Sequence, residues 1–265
     1  MNILLTGGHS GIGLELTRML LKDGHHLGLI VRSEKRKADA QRELGAQAAI
    51  DYFIADLGKR DQITAVAQSI SEKWDRIDGL FNNAGVLLDQ AYYSDQGNEL
   101  QFEINALTPY HLTTQLKPLL DAAEKPFVVN TATGSVHKKK ELDIAEIRKP
   151  KKFVKLTGSY LNSKYALVLL MNHLAKEWPN VRIASVNPGP NKTKMTGKDN
   201  SGMPGWLLPF RNLLFPKPIA GAKKLYAAAF APRFQTQSGI ITNGKSVQPM
   251  KYALSDAEAK ELLAN

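Results

Sequence analysis

A phenol and an ammonium stand four residues apart in Tyr160-Leu161-Asn162-Ser163-Lys164. On a helix that spacing puts both on one face. There the cation can pull the phenol pKa toward neutrality and let it donate a proton to a carbonyl oxygen as hydride arrives. Such chemistry needs a hydride carrier, and Thr6-Gly7-Gly8-His9-Ser10-Gly11-Ile12-Gly13 has the composition of a cradle for one. Glycines there permit a tight turn and close backbone approach to a pyrophosphate, which would rest on the N–H groups and positive dipole end of the following helix. The spacing is GxxxGxG, a variant of the dinucleotide fingerprint. Further on, Leu29-Ile30-Val31 runs directly into Arg32 and Ser33, with Lys35 and Arg36 close behind. An acid at that point would select a free ribose 2′-hydroxyl, whereas arginine accommodates a 2′-phosphate, so Arg32 favours NADP(H) over NAD(H). The same charges also read as the solvated start of a helix.

These residues must be positioned by elements, and the chain alternates short apolar runs with longer helical patterns, the signature of βαβ units. The runs are Asn2–Thr6, Leu27–Val31, Ala49–Ile54, Ile77–Asn82, Phe127–Thr131, Val181–Val186 and Gly239–Thr242. Helical periodicity falls near 11–23, 36–44, 60–73, 98–122, 159–177 and 219–230, as in Leu161, Ala166, Leu169, Leu170 and Leu174. A last helix runs from Ser255 to Ala264, with Ser255 as N-cap and Glu258 completing a capping box. The expected fold class is therefore α/β: a single-domain, doubly wound, seven-stranded parallel sheet with helices on both faces, spanning 1–265. Two long hydrophilic or Pro/Gly-rich stretches, 134–158 and 188–218, interrupt the alternation. Both follow strands, at the carboxyl edge where open sheets bind ligands, so they read as rim loops.

The 265 residues contain no cysteine, which excludes a disulfide framework, a thiolate zinc site and a cysteine nucleophile. No metal-ligand spacing occurs, and no metal is expected. There is no run of 18 apolar residues and no basic, then apolar, leader at the N-terminus, so a soluble, cytoplasmic protein is the expectation. The net charge of +10 is local. Residues 138–155 hold eight basic side chains against three acids, and 190–224 hold seven against one, more than the whole excess. They carry no nucleic-acid motif and, in the first stretch, a single aromatic, Phe153, so nucleic acid is a weak reading.

With these motifs in order, the chain resembles the short-chain dehydrogenase/reductase family over almost its full length. The resemblance rests on Thr6–Gly13, on Asp56 in Ala55-Asp56-Leu57, and on Asn82-Asn83-Ala84-Gly85. It continues through Asn105 in Phe102-Glu103-Ile104-Asn105-Ala106, through Tyr160 with Lys164, and through Asn187-Pro188-Gly189 with Thr193. It implies a Rossmann-type fold and a homodimer or homotetramer built through the helices near 98–122 and 159–177. By the same resemblance Tyr160 is general acid or base, and Lys164 binds the nicotinamide ribose. Asn105 anchors a water in a proton relay, Asp56 contacts adenine, and Pro188, Gly189 and Thr193 seat the nicotinamide. Asp56 and Asn82 read equally well as strand-end caps.

One position departs from the family pattern. Where the family carries a serine to orient the substrate carbonyl, this chain has Thr133, in Asn130-Thr131-Ala132-Thr133-Gly134-Ser135. Threonine keeps the hydroxyl and adds a methyl and a stiffer χ1. Thr133 is the favoured donor, with Ser135 the other. His137 and Trp206 are candidates to line the substrate pocket. The basic stretches beside the apolar Trp206–Phe215 suggest an anionic or apolar carbonyl or alcohol substrate, or peripheral membrane contact through 206–215. That long region, with Asn243-Gly244-Lys245, is loosely similar to retinol-dehydrogenase-like reductases. The function expected is NADP(H)-dependent carbonyl reduction or alcohol oxidation. A catalytically weak, NADP(H)-sensing binding protein on the same fold is the alternative.

Overall fold

The computed structural model describes residues 1–45, 49–191 and 216–264. One eight-stranded sheet runs in the order β3-β2-β1-β4-β5-β6-β7-β8. Its strands are β1 (Asn2–Thr6), β2 (His26–Val31), β3 (Ile50–Ile54), β4 (Gly79–Asn82), β5 (Phe127–Thr131), β6 (Arg182–Val186), β7 (Ile240–Thr242) and β8 (Val247–Gln248). The α/β, Rossmann-like reading holds, and all seven anticipated runs are parallel strands. The count does not hold: β8 is an eighth strand, antiparallel to β7. Two residues cannot show a period, but the connection carried a signal. Asn243 Oδ1 accepts from Lys245 N at 2.9 Å and Ser246 N at 3.0 Å, and Gly244 turns the chain at φ 82°. Asn-Gly is the strongest short-range hairpin sequence.

Strand order reverses between β1 and β4, which opens a crevice at their carboxyl ends. Side chains alternate across the sheet: Ile3 and Leu5 enter one core, Leu4 the other. The first core is roofed by α1 (Gly11–Lys22), α2 (Glu34–Leu44) and α9 (Pro218–Phe230), through Leu16, Leu20, Ala40, Leu44, Ala222 and Leu225. The second lies under α3 (Arg60–Lys73), α5 (Thr108–Gln115), α6 (Lys117–Asp121), α8 (Leu161–Glu177) and α10 (Asp256–Leu263). From Tyr165 to Met171 every residue of α8 is buried, as befits a helix enclosed on nearly all sides. Ser255 and Glu258 form the anticipated capping box of α10.

Two helical regions differ from the pattern reading. The segment near 98–122 is broken into α4 (Leu100–Phe102), a π-helical turn at Glu103–Leu107, α5 and α6. Pro109 and Pro118 sit in the first turns of α5 and α6, where the missing N–H costs nothing. A second π turn, Lys155–Tyr160, leads into α8. The stretch 134–158 is also no free loop. It holds a 3₁₀ turn at Val136–Lys138 and a helix, α7 (Ile144–Arg148), capped by the Asp143 carboxylate accepting from Glu146 N at 2.9 Å. Val136, Ile144 and Ile147 are buried in the second core, and the charges mask this because they sit between the apolar positions. Ile147→Ala should therefore cost about 2–5 kcal/mol in urea unfolding, the price of a core truncation. A loss near zero would mean that the segment is a detached lid.

Candidate active site

The glycine turn closes β1 as anticipated. Gly7 and Gly11 sit at φ 68° and 54°, a region that side chains avoid. Gly13 faces the turn so closely that a Cβ would lie 2.1 Å from Gly7 O, and a Cβ on Gly8 would meet Leu29 and Thr17. The N-cap of α1, Ser10, makes no side-chain capping bond, and no acid lies in the first turn. The helix thus presents uncapped N–H groups and its positive dipole end, a donor set that fits a pyrophosphate. His9 and Ile12 complete the turn, Ile12 packing into the first core.

Arg32 follows β2 directly, exposed, and its guanidinium pairs with none of the described residues. Arg36, by contrast, is engaged by Asp39 at 3.4 Å, and Ser33 caps α2 by accepting from Arg36 N at 3.4 Å. Asp56, beyond β3, accepts from Gly58 N at 3.0 Å, which realises the strand-end cap for one carboxylate oxygen. Leu57 is half-buried, and its carbonyl accepts from Thr108 Oγ1 at 2.6 Å.

The turn is tied to the next strand end by one hydroxyl. Thr6 Oγ1 accepts from Asn83 N and Ala84 N, both at 3.0 Å. The Asn83 amide returns the contact, donating to Thr6 O at 3.3 Å and Gly7 O at 3.4 Å, and its oxygen accepts from Thr131 Oγ1 at 3.3 Å. Asn82 plays a different part, buried in a polar ladder with Thr113 at 3.0 Å and Asn130 at 2.9 Å. Gly85 then fits between Asn105 and Lys164: a Cβ there would lie 2.9 Å from Asn105 Oδ1 and 3.2 Å from Lys164 Nζ.

Asn105 lies in the first π turn, fully buried. Its Oδ1 accepts from Val86 N at 2.8 Å, while Nδ2 donates to Val86 O at 2.9 Å and Ser163 Oγ at 3.0 Å. Ser163 in turn donates to Tyr160 O at 2.8 Å. Both amide hydrogens are therefore committed to holding the 85–88 segment against the start of α8. Ser163 was not singled out by sequence; its place one turn after Tyr160 on the same helix is the signal that could have found it.

Lys164 is buried and donates to Thr131 O at 2.8 Å. Burial alone lowers its pKa to about 8 and pushes the Tyr160 phenol up to about 12. The phenol is thus raised rather than held near neutrality, with burial the cause, and Lys164 is turned to a strand-end carbonyl. Thr133 is half-buried, whereas Ser135 is exposed at the start of the 3₁₀ turn. His137, in that turn, has a buried Nδ1 with no partner among the described residues.

Asn187 and Gly134 press together, since a Cβ on Gly134 would lie 2.5 Å from Asn187 Nδ2. Pro188 O accepts from Lys224 Nζ at 2.9 Å and Asn191 Nδ2 at 3.1 Å, and Gly189 turns at φ 74°. Lys224 is therefore a clamp and not a rim charge. Arg148 likewise leaves the rim, donating to Leu262 O at 3.1 Å and to Ala264 O. Thr193, Trp206 and the apolar segment 206–215 lie outside the described residues, as do Lys192, Lys194, Lys198 and Arg211. No helix among the described residues is long and apolar enough to cross a membrane.

The short chain dehydrogenase family profile matches residues 1–145. Retinol dehydrogenase 13 of Mus musculus is 27% identical over 270 residues, 98% of this chain and 80% of that protein. A short-chain dehydrogenase/reductase of Armillaria gallica is 30% identical, covering 85% of this chain and 75% of its own length. Among solved structures, an active-site complex of Pseudomonas aeruginosa RhlG with NADP superposes with a TM-score of 0.71 at 25% identity, over 92% of this chain and 95% of that one.

Burial of Lys164 has a measurable sign. Between about pH 8 and 10.5 the unfolded lysine keeps its proton while the folded one has lost it, so stability rises with pH in that window. Lys164→Met should be more stable than wild type by its widest margin below pH 8, and the margin should shrink as pH rises from 8 to 10. Chemical denaturation of both proteins along that series checks it, and a margin constant with pH contradicts the buried cation.

Proposed function

The chain belongs to the short-chain dehydrogenase family, and from that premise we propose that it is an NADP(H)-dependent oxidoreductase. It reduces an aldehyde or ketone, or oxidises the matching alcohol, in the manner of a carbonyl reductase or alcohol dehydrogenase. The observation that carries the reading is the buried Lys164 ammonium, one glycine away from a loop hydrogen-bonded to the glycine turn. An uncompensated buried cation is expensive, and a ribose at that point would give it further acceptors.

In this reading the backbone from Gly7 to Gly13, with Ser10 and the α1 N-terminus, holds the pyrophosphate, and Arg32 holds the 2′-phosphate. Asp56 and Leu57 bound the adenine, and Asn83, Ala84 and Gly85 border the ribose. Pro188 and Gly189, with Thr193, seat the nicotinamide. When bound, the reduced cofactor supplies the hydride. Thr133, with Ser135 as the other candidate, orients the carbonyl by donating from its hydroxyl. Tyr160 then delivers the proton. A phenol near 12 keeps its proton at pH 7, yet it still protonates an alkoxide, whose conjugate acid is about as weak as water at roughly 15.7. That order favours reduction near neutrality. Asn105 acts through Ser163, fixing the helix turn that carries Tyr160.

The NADP complex of the solved relative supports the cofactor, and the name retinol dehydrogenase in a relative supports an apolar substrate. Val154 and Leu156, 43% and 42% exposed in the turn before Tyr160, stand among Lys149, Lys151 and Lys152. This setting suits an apolar carbonyl compound bearing negative charge or presented at an anionic surface.

Two substitutions test the proposal with NADPH and NADH oxidation against a panel of small, aromatic and long-chain carbonyl compounds. Arg32→Ala should weaken NADPH roughly 10- to 100-fold, the worth of a charged hydrogen bond, and leave NADH nearly unchanged. Tyr160→Phe should lower kcat by about 10²- to 10⁴-fold while retaining NADPH affinity. Tight NADPH binding without tyrosine-dependent turnover would instead describe a nucleotide-sensing protein.

A further inference from the structure

Seven large apolar or aromatic side chains are exposed among the described residues, and four of them fall on neighbouring segments: Tyr92, Tyr93, Val154 and Leu156. Tyr93 bridges to Glu99, Leu100 N donates to Tyr92 O at 2.8 Å, and Glu99 N donates to Arg148 O at 2.7 Å. The short hairpin that carries the two tyrosines, 42% and 52% exposed, therefore lies against the end of α7. From there 149–156 runs on into the π turn before Tyr160, and α4, at the foot of the hairpin, packs on that same turn. An exposed apolar cluster on one surface of a folded chain marks a place of contact.

Its charge says with what. Lys149, Lys151 and Lys152 are exposed beside the cluster, and none of the three has an ion pair among the described residues. The neighbouring acids are engaged by other groups: Glu146 accepts from Lys151 N at 3.2 Å, Asp143 from Glu146 N at 2.9 Å, and Asp95 from Lys59 Nζ at 2.7 Å. The lysines call for an anionic partner, and the apolar side chains narrow it. A second copy docked by the same face would set the two groups of lysines against each other. Nucleic acid could take the lysines and stack on the tyrosines, but Val154 and Leu156 have no π-face to offer it. An anionic bilayer accommodates all three kinds of side chain: lysines at the phosphates, tyrosines at the headgroup level, aliphatic side chains at the acyl boundary. We propose that this face docks the chain on an anionic lipid bilayer, with Lys149, Lys151 and Lys152 at the headgroups and Tyr92, Tyr93, Val154 and Leu156 in the interfacial layer. It uses no part of 206–215, and docking needs no turnover. That docking presents the Tyr160 end of the chain to membrane-borne carbonyl compounds rests on the oxidoreductase reading above.

Co-sedimentation of the intact chain with phosphatidylcholine vesicles, alone or with about one-third phosphatidylserine, tests the docking at low and high salt. The chain should bind only the anionic vesicles, less as salt rises, and equally in wild type and Tyr160→Phe. Replacing Lys149, Lys151 and Lys152 together by Gln should weaken binding about 100-fold. Val154→Ser combined with Leu156→Ser should weaken it about tenfold, and Tyr93→Ser takes the place of that pair if circular dichroism shows it unfolded. The proposal is overturned by equal binding to neutral vesicles, by undiminished binding in either folded variant, or by tighter binding to duplex DNA. It is also overturned by a dimer that the serine pair dissolves while vesicles leave the protein in solution. Docking without any NADPH turnover would uphold this inference and sink the catalytic reading; turnover without docking would do the reverse.

Discussion

Thr6 ends β1 with a hydroxyl that accepts two backbone N–H groups from the end of β4, at Asn83 and Ala84. Because strand order reverses between these two strands, that bond spans the crevice where the sheet opens. Two parts of the proposed site are tied to it. On one side it fixes the glycine turn, through the Asn83 amide on Thr6 O and Gly7 O. On the other it leads through Gly85 to Asn105 and Lys164, and through Thr131 to the end of β5. The glycine turn and the cluster of Asn105, Tyr160 and Lys164 are thus one hydrogen-bonded body, which is what the proposed catalysis asks of a scaffold.

Charge is placed in this body with its cost offset locally. Glu103, two residues before Asn105, is buried, yet its carboxylate accepts from Arg60 Nη2 at 3.0 Å, Asn98 Nδ2 at 2.8 Å and Ser94 Oγ at 3.2 Å. Such a pair adds little net stability, but removing one partner leaves a buried charge uncompensated, so the π turn that carries Asn105 is held in one arrangement. Lys164 is the counterexample, a cation turned to a single described carbonyl, and its low pKa records that shortage. A polar ladder, Thr113 to Asn82 to Asn130, crosses the sheet beneath and fixes the register of β4 against β5.

Much of this could be read from residue order. Apolar runs such as Phe127–Thr131 match their strands because a strand buried on both faces needs a continuous apolar run. The glycine turn was legible because its backbone conformation demands glycine at Gly7 and Gly11. What escaped depends on distant partners. Lys224 and Arg148 look like surface charge in one dimension, yet they bind the Pro188 and Leu262 carbonyls from 36 and 114 residues away. The α7 helix hid among lysines because two buried isoleucines make too short a pattern. The rise of the Tyr160 phenol lies beyond the sequence for the same reason: spacing supplies the neighbouring cation, whereas burial is set by residues brought in from elsewhere.

The most direct test of the account is a crystal structure of the chain with NADPH. The pyrophosphate should lie on the N–H groups at the start of α1, the 2′-phosphate on Arg32, and a ribose hydroxyl on Lys164 Nζ. NADPH bound elsewhere, or bound with Arg32 and Lys164 both left untouched, would contradict it.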